Sequence, residues 1–345
     1  DSTYSLQYNN SVVDPLETGA LLLITRAGDR VSVSQLSGFS LIVDSLRILS
    51  SSEDSFLSLS LPGTKREAIE YCGDFTFSSS LGVVKIINNI ALESYIAGVV
   101  QAEGGYKGHQ EYFRTQAVIA RTYAYLHLDR HADEHYDLCD DVHCQVYHGR
   151  SVTGVINDAV IATRGIVITD SDSLLILTPF HSNCGGQTAT SGDVWLTDLP
   201  YLESIIDPYC GFSRNALWEK DISRGEWINY LKKQNMDIIN PGQELNFVQN
   251  ARLHEYKYNG SSISLRKIRD DFGLRSTFFS IKDEGETLKL SGRGYGHGVG
   301  LCQEGAMVMA KRGFKYLQII NFYYKGVKIM DINRVKIPAQ TELSF

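Results

Sequence analysis

No apolar run in this 345-residue chain reaches the length of a membrane-spanning helix, and the run from Gly19 to Thr25 is only strand-sized. Positive charge is in deficit. With 33 Lys and Arg against 40 Asp and Glu the net charge is −7, which argues against a nucleic-acid binder, because phosphate contacts need a basic face. Cysteine is scarce: six in a chain this long make no disulfide scaffold, although an even number permits pairing. There is no internal repeat and no low-complexity linker. An initiator methionine and a signal-peptide pattern are also missing, so the chain reads as trimmed or mature. What remains is an ordinary globular composition, 43% apolar and 21% charged, with the length for two units.

Strand-like text fills the first quarter. Residues 1–18 are polar and read as extended or frayed. From Gly19 to Asn89 come ALLLITRAG, DRVSVSQL, SLIVDSLRIL, SFLSLSL, DFTFSSS and GVVKIINN, short alternating runs parted by Gly, Ser and Asp. Helices are expected next over 92–103, in the following stretch to Tyr125, and over 155–165. Then come a strand pair leading into HSNCGGQT, a helix from Trp218 to Lys233, a hairpin in 247–264, a short helix at KIRDDFG and two strands. A glycine-rich loop finally runs into helices. Strands outnumber helices without a repeating βαβ order, which makes the fold class α+β.

The stretch Leu92 to Tyr125 draws the chemistry together. Leu92, Tyr95, Ile96, Val99 and Val100 keep the i, i+3, i+4, i+7 spacing of a buried stripe. Eleven residues is almost a whole number of turns, so Glu103 falls within about 20° of Leu92. It ends the apolar face just before Gly104 and Gly105 stop the helix. In the second helix Phe113, Ala117, Ala120, Ala124 and Leu128 form the stripe, and Arg121 flanks it. An acid aimed inward and an arginine at a helix seam are costly choices for a core. The plain alternative is a helix-capping acid and a surface arginine.

A second concentration of chemistry lies in HADEHYDLCDDVHCQVY. His135, Cys139, His143 and Cys144 fall within ten residues, with His131 close by. Two thiolates and two imidazoles can make a tetrahedral zinc site. The alternative is a Cys139–Cys144 disulfide, favoured if the protein is exported. Four protein ligands would make such a zinc structural, stiffening the loop. GRGYGHGVG resembles a dinucleotide fingerprint superficially but lacks the strand, turn and helix context, so nucleotide binding is rejected.

Several words occur together in fixed order: LESYIAGVVQAE, TQAVIARTYA, YDLCDDVHCQVYHG, AVIATRG, HSNCGG, PYL, LRSTFFSI and GRGYGHGVGLCQEGAMVMA. They closely resemble the SpoIID/LytB family, which comprises stage II sporulation protein D and amidase enhancers, over roughly residues 70–330. The resemblance implies a β-rich region over 1–70, a catalytic domain with a glycan-binding cleft over 71–330, an insertion within 215–280, and a tail from 331 to 345. It implies a lytic transglycosylase that cuts the MurNAc–GlcNAc bond of peptidoglycan, with a preference for strands stripped of stem peptides, and leaves a 1,6-anhydro end.

On the family's motifs, Glu103 takes the catalytic acid's place and Arg121 that of the functional arginine. His181, Ser182, His297 and Gln303 are the polar groups expected on the sugar, and Tyr106, Trp195 and Tyr295 the aromatic ones. Cys184 and Cys302 stand where many members carry a small hydroxyl residue. A Cys184–Cys210 pair is expected, with Cys184–Cys302 as the alternative. Some members bind zinc at the Cys/His cluster, so one structural Zn2+ is expected on His135, Cys139, His143 and Cys144. The implied partners are glycan strands and a cell-wall amidase, and the implied compartment is extracytoplasmic. The rival functions are a non-catalytic amidase enhancer and a zinc-dependent hydrolase.

Overall fold

Apolar residues spaced two apart decide the N-terminal architecture, because alternate side chains of a strand share one face. In the computed structural model, which describes residues 4–8, 11–35, 38–53, 55–64, 67–195, 197–236 and 244–336, these residues fall into two units. The first takes the described residues up to Tyr106 together with His127–Arg164. The second takes Lys107–Leu126 together with the described residues from Gly165 onward.

The first unit begins with ten strands: β1 (Tyr4–Tyr8), β2 (Ser11–Leu16), β3 (Leu22–Ala27), β4 (Arg30–Gln35), β5 (Ser40–Val43), β6 (Ser45–Ser50), β7 (Phe56–Leu59), β8 (Ile69–Cys72), β9 (Asp74–Ser80) and β10 (Val83–Asn89). They form an antiparallel sheet of order β10-β9-β6-β1-β2, a second of order β3-β4-β5, and the pair β7-β8. Tyr4 and Leu6, Val31 and Val33, Leu46 and Ile48, and Phe75 and Phe77 are period-two pairs, and all belong to one buried cluster. Of residues 1–18, expected to be extended or frayed, Tyr4–Tyr8 and Ser11–Leu16 are extended strands that pair with each other, and Tyr4 and Leu6 are buried. Helix α1 (Leu92–Gly104) follows.

Helix α2 (Gln110–Leu126) belongs to the second unit. The chain then returns to the first with a 3-10 turn at Ala132–Glu134 and with α3 (Gly154–Ala162). Phe113, Ala117, Ala120 and Ala124 are buried along α2, whereas Leu128 lies beyond its end and is exposed.

The rest of the second unit runs β11 (Ile166–Thr169), β12 (Phe180–His181), α4 (Ser191–Trp195), β13 (Leu217–Ser223), α5 (Arg224–Lys233), β14 (Glu255–Tyr258), β15 (Ser261–Ser264), α6 (Leu265–Phe272), β16 (Phe279–Asp283), β17 (Thr287–Arg293), β18 (Leu301–Cys302), α7 (Gln303–Lys311), α8 (Tyr316–Tyr323) and β19 (Lys328–Asp331). The expected helix from Trp218 is corrected. Leu217–Ser223 is a strand pairing with β17, and the helix starts only at Arg224. β13-β17-β16 form an antiparallel sheet, with Trp227, Leu231, Tyr256 and Ile268 in its buried cluster.

This piece has its own core, and its two ends meet, since the Gly294 N–H donates to the Ala216 carbonyl at 3.0 Å. β11 pairs with β19, which ends at Asp331, the first residue of the expected C-terminal tail, and residues 337–345 lie outside the described residues. No helix among the described residues is long and apolar enough to cross a membrane.

Candidate active site

Helix α1 stops where glycine makes stopping cheap. Gly105 has φ +77°, and its N–H returns to the Gln101 carbonyl at 3.1 Å. Glu103 is therefore held in the last turn, half-buried. Its Oε1 accepts the Val146 N–H at 3.1 Å. Burial raises the pKa of its carboxyl and outweighs the Val146 N–H and His148, which both pull it down. The side chain is thus an acid that holds its proton to higher pH than an exposed glutamate would.

Val146 is placed by a close fit between α1 and residues 145–153 of the same unit. A Cβ on Gly98 would collide with the Gly149 carbonyl oxygen and the Tyr147 ring, so only glycine lets the helix lie this near. One turn on, Gln101 Oε1 accepts from Ser151 Oγ at 3.2 Å, Val152 N at 2.9 Å and Thr153 Oγ1 at 3.0 Å. The Tyr95 hydroxyl donates to Gln145 Oε1 at 3.4 Å, and its ring lies 5.2 Å from that of Tyr147.

The Cys/His loop leads directly into this segment. Its converging donors are His131, Cys139, His143 and Cys144, all within 4.8 Å of one another. Cys144 Sγ is 3.5 Å from His131 Nε2 and 3.6 Å from His143 Nδ1, and Cys139 Sγ is 3.7 Å from His143 Nδ1. A tetrahedral zinc with ordinary bond lengths puts a sulfur and a nitrogen about 3.5 Å apart, so these donors fit such an ion.

His135 is corrected out of the set. The 3-10 turn ends on it with φ +64°, and it is exposed. His131 takes the place instead, with its other nitrogen, Nδ1, 3.1 Å from Glu134 Oε1, the carboxylate backing that metal-bound histidines usually have. Cys139 and Cys144 are free thiols, not a disulfide.

In the second unit, β12 and β18 pair in parallel, Phe180 with Leu301 and His181 with Cys302. This brings the two glycine-rich words side by side. A Cβ on Gly300 would strike the Pro179 carbonyl oxygen, which is why the second word needs glycine there. His181 is buried and donates from Nδ1 to the Val299 carbonyl at 3.1 Å; its Nε2 has no hydrogen-bond partner among the described residues. Burial first, and then the neighbouring charges, hold it neutral.

The ring of His297 lies 5.4 Å from that of His181 and 5.4 Å from the partly exposed Trp195. His297 donates from Nε2 to the Phe180 carbonyl at 2.9 Å and accepts the Val299 N–H on Nδ1 at 3.1 Å. Its pKa is lowered to about 4, chiefly by burial. Both histidines are thus fixed, neutral tautomers, with both nitrogens of His297 engaged by backbone groups. Ser182 gives its carbonyl to the Glu304 N–H at 3.0 Å. Gln303 is buried at the start of α7, and Tyr295 is exposed with the Arg275 guanidinium 5.9 Å from its ring centre. Tyr106, in the first unit, is exposed.

Arg121 is fully buried, and its Nη1 donates to the Ile166 carbonyl at 3.1 Å, tying α2 to the start of β11. It is a buried group of the second unit, not the surface arginine of the plain alternative. The expected Cys184–Cys210 disulfide is also corrected. The two sulfurs lie 3.3 Å apart as free thiols, well beyond the bond length of about 2 Å. Sequence reasoning missed the Val146 N–H, the role of Gln101 and the position of Asp207. A backbone donor leaves no mark in the residue letters, and the other two stand alone in their words.

Comparison with known proteins bears on residues 80–169, which match the family model described as stage II sporulation protein. An uncharacterized protein of Brachyspira hyodysenteriae is 30% identical, covering 79% of this chain and 76% of that protein. The stage II sporulation protein D of Bacillus subtilis is 30% identical over 71% of this chain and 76% of its own length. The amidase enhancer of the same organism is 27% identical over 68% of this chain and 40% of its own length.

Proposed function

The chain belongs to the stage II sporulation protein D family, and from that premise we propose that it is a peptidoglycan lytic transglycosylase with Glu103 as its acid and base. The observation that carries the reading is the half-buried carboxyl at the end of α1, its pKa raised by burial and one oxygen fixed by the Val146 N–H. Hydrolysis of a glycoside by water normally takes two carboxylates. In a lytic transglycosylase the nucleophile is the sugar's own C6 hydroxyl, so one carboxyl serves twice. Glu103 first gives its proton to the glycosidic oxygen as the bond to C1 breaks. The resulting carboxylate then takes the C6 hydroxyl proton as that oxygen bonds to C1, giving a 1,6-anhydro end and restoring the acid.

Holding the proton toward neutral pH suits the first step, and the fixed oxygen suits reuse in the second. We assign the Cys/His loop one structural Zn2+, held by His131, Cys139, His143 and Cys144. When bound, the ion would supply a rigid cross-link two residues before Val146. Four protein donors leave no coordination position for water, so the geometry gives a zinc-hydrolase reading no support. Trp195, His297 and His181 are assigned to glycan contact, with an exposed ring backed by two neutral imidazoles. A peptidoglycan substrate supports a location outside the cytoplasm.

The second reading is non-catalytic stimulation of a cell-wall amidase, motivated by the relative named amidase enhancer. Digestion of denuded and intact glycan strands separates the two, with the protein alone and with an amidase added. Anhydro ends released by the protein alone support the lyase. Faster amide cleavage without new anhydro ends would replace it by the enhancer.

A further inference from the structure

Three thiols and a carboxylate meet in the interior of the second unit, far along the chain from the Cys/His loop. Cys184, Asp207, Cys210 and Cys302 are all buried, at 2% exposure or less, and their donor atoms lie within 4.8 Å of one another. We propose that this cluster is a second metal site, binding a thiophilic divalent cation of the Zn2+ class through three sulfurs and one oxygen. The proposal is independent of the lyase reading.

The geometry around each donor favours an ion. Cys184 Sγ is 3.3 Å from Cys210 Sγ and 3.2 Å from Asp207 Oδ2. Two thiolates on a tetrahedral zinc stand about 3.7 Å apart, whereas a disulfide needs about 2 Å. The observed spacing is nearer the first. A disulfide would also use two of the four groups and leave Cys302 and the buried acid without a role.

Cys302 caps α7, and its sulfur accepts the N–H groups of Cys184 at 3.3 Å and Gly305 at 3.4 Å, the donor pattern that steadies a thiolate. Asp207 is oriented from behind by the Tyr323 hydroxyl at 3.0 Å on Oδ2 and by the Tyr209 N–H at 2.8 Å on Oδ1. Such outer hydrogen bonds aim a ligand at its metal. The nearby Arg252 does not fill the need. Its guanidinium is spent on the Gln187 and Cys184 carbonyls and the Thr277 hydroxyl.

Burying an ionisable carboxyl among three thiols is costly without a compensating charge. A divalent cation provides that charge, the thiols ionising and releasing their protons to solvent as it binds. A sulfur-rich donor set selects zinc over magnesium or calcium. Four protein donors make the site closed and structural, fastening the residue 184 loop, the 207–210 turn and the start of α7 to one point.

The test uses the full chain with Cys139→Ser and Cys144→Ser, which removes the thiols of the loop site and leaves the buried cluster untouched. The protein is stripped with chelator and titrated with Co2+ as probe. The expected result is one tightly bound equivalent, with sulfur-to-cobalt absorption in the near ultraviolet and the intense visible bands of a tetrahedral thiolate site. Adding Cys302→Ala should abolish or sharply weaken those bands. If that variant fails to fold, the parent variant's titration still decides. Absence of Co2+ binding by the parent would overturn the proposal. So would alkylation under denaturing, non-reducing conditions that finds Cys184 and Cys210 joined.

Discussion

Replacing Glu103 by glutamine keeps the side chain's size and an acceptor oxygen for the Val146 N–H, and removes the ionisable proton together with the carboxylate charge. General acid–base catalysis by one positioned group contributes about 10²–10⁴-fold, which is about 2.7–5.4 kcal/mol of barrier. In the proposed mechanism Glu103 serves both departure and collapse, yet the observed rate reports only the slower step. The expected loss is therefore a single factor of about 10²–10⁴ and not the product of two such factors. The assay is release of anhydro ends from denuded glycan, quantified by mass.

Stability supplies a second, independent readout. Burial raises the pKa of Glu103 in the folded chain, so its contribution to stability is fully present below the unfolded pKa and is lost as pH rises through the folded one. Glu103→Gln should match the wild type in acid and exceed it at neutral pH in thermal melts. Activity should likewise fall as pH rises past the elevated pKa, because the acid step needs the proton. Glu103→Gln with activity within tenfold of wild type would refute the catalytic assignment. Lower stability at neutral pH would refute the account of the site's electrostatics.

Three further outcomes follow from the geometry. His131→Ala should abolish zinc retention by the loop in elemental analysis, whereas His135→Ala should not, since of these two histidines only His131 reaches the thiols. Trp227→Ala, which empties the centre of the 217–293 core, should cost about 3–5 kcal/mol in urea unfolding monitored by circular dichroism. Gly98→Ala sets a Cβ against the Gly149 carbonyl and the Tyr147 ring. It should cost about 1–3 kcal/mol and also lower anhydro-end release, because the segment that carries Val146 is pushed away from α1.

Much of the fold was legible because the letters that make it are local. The two glycines after Glu103 marked the end of α1, and period-two pairs such as Phe75 and Phe77 marked the sheets. The misreading at Trp218 has a physical cause. Trp218 and Ile222 stand four apart, which is one face of a helix and equally one face of a strand. Pairing with β17 decides for the strand, and pairing is not written locally. The same limit explains His131. A short 3-10 turn reverses the chain between it and His135, so nearness in sequence to Cys139 misled. Asp207 is set beside Cys184 by the bridge of Gln187 with Ile206 and by its N–H bond to the Gly186 carbonyl, and Cys302 arrives through the parallel pairing of β12 with β18; no spacing rule encodes either.

The hydrogen bond between Gly294 and Ala216 has an evolutionary consequence. A segment whose ends meet at one point adds little to the closure entropy of its host, and the 217–293 piece carries its own buried cluster. Its attachment is not at the ends alone, because Arg252 within it donates to the Gln187 and Cys184 carbonyls. A change of length elsewhere in the piece that keeps Arg252 in place would leave the glycine-rich words on either side of it paired.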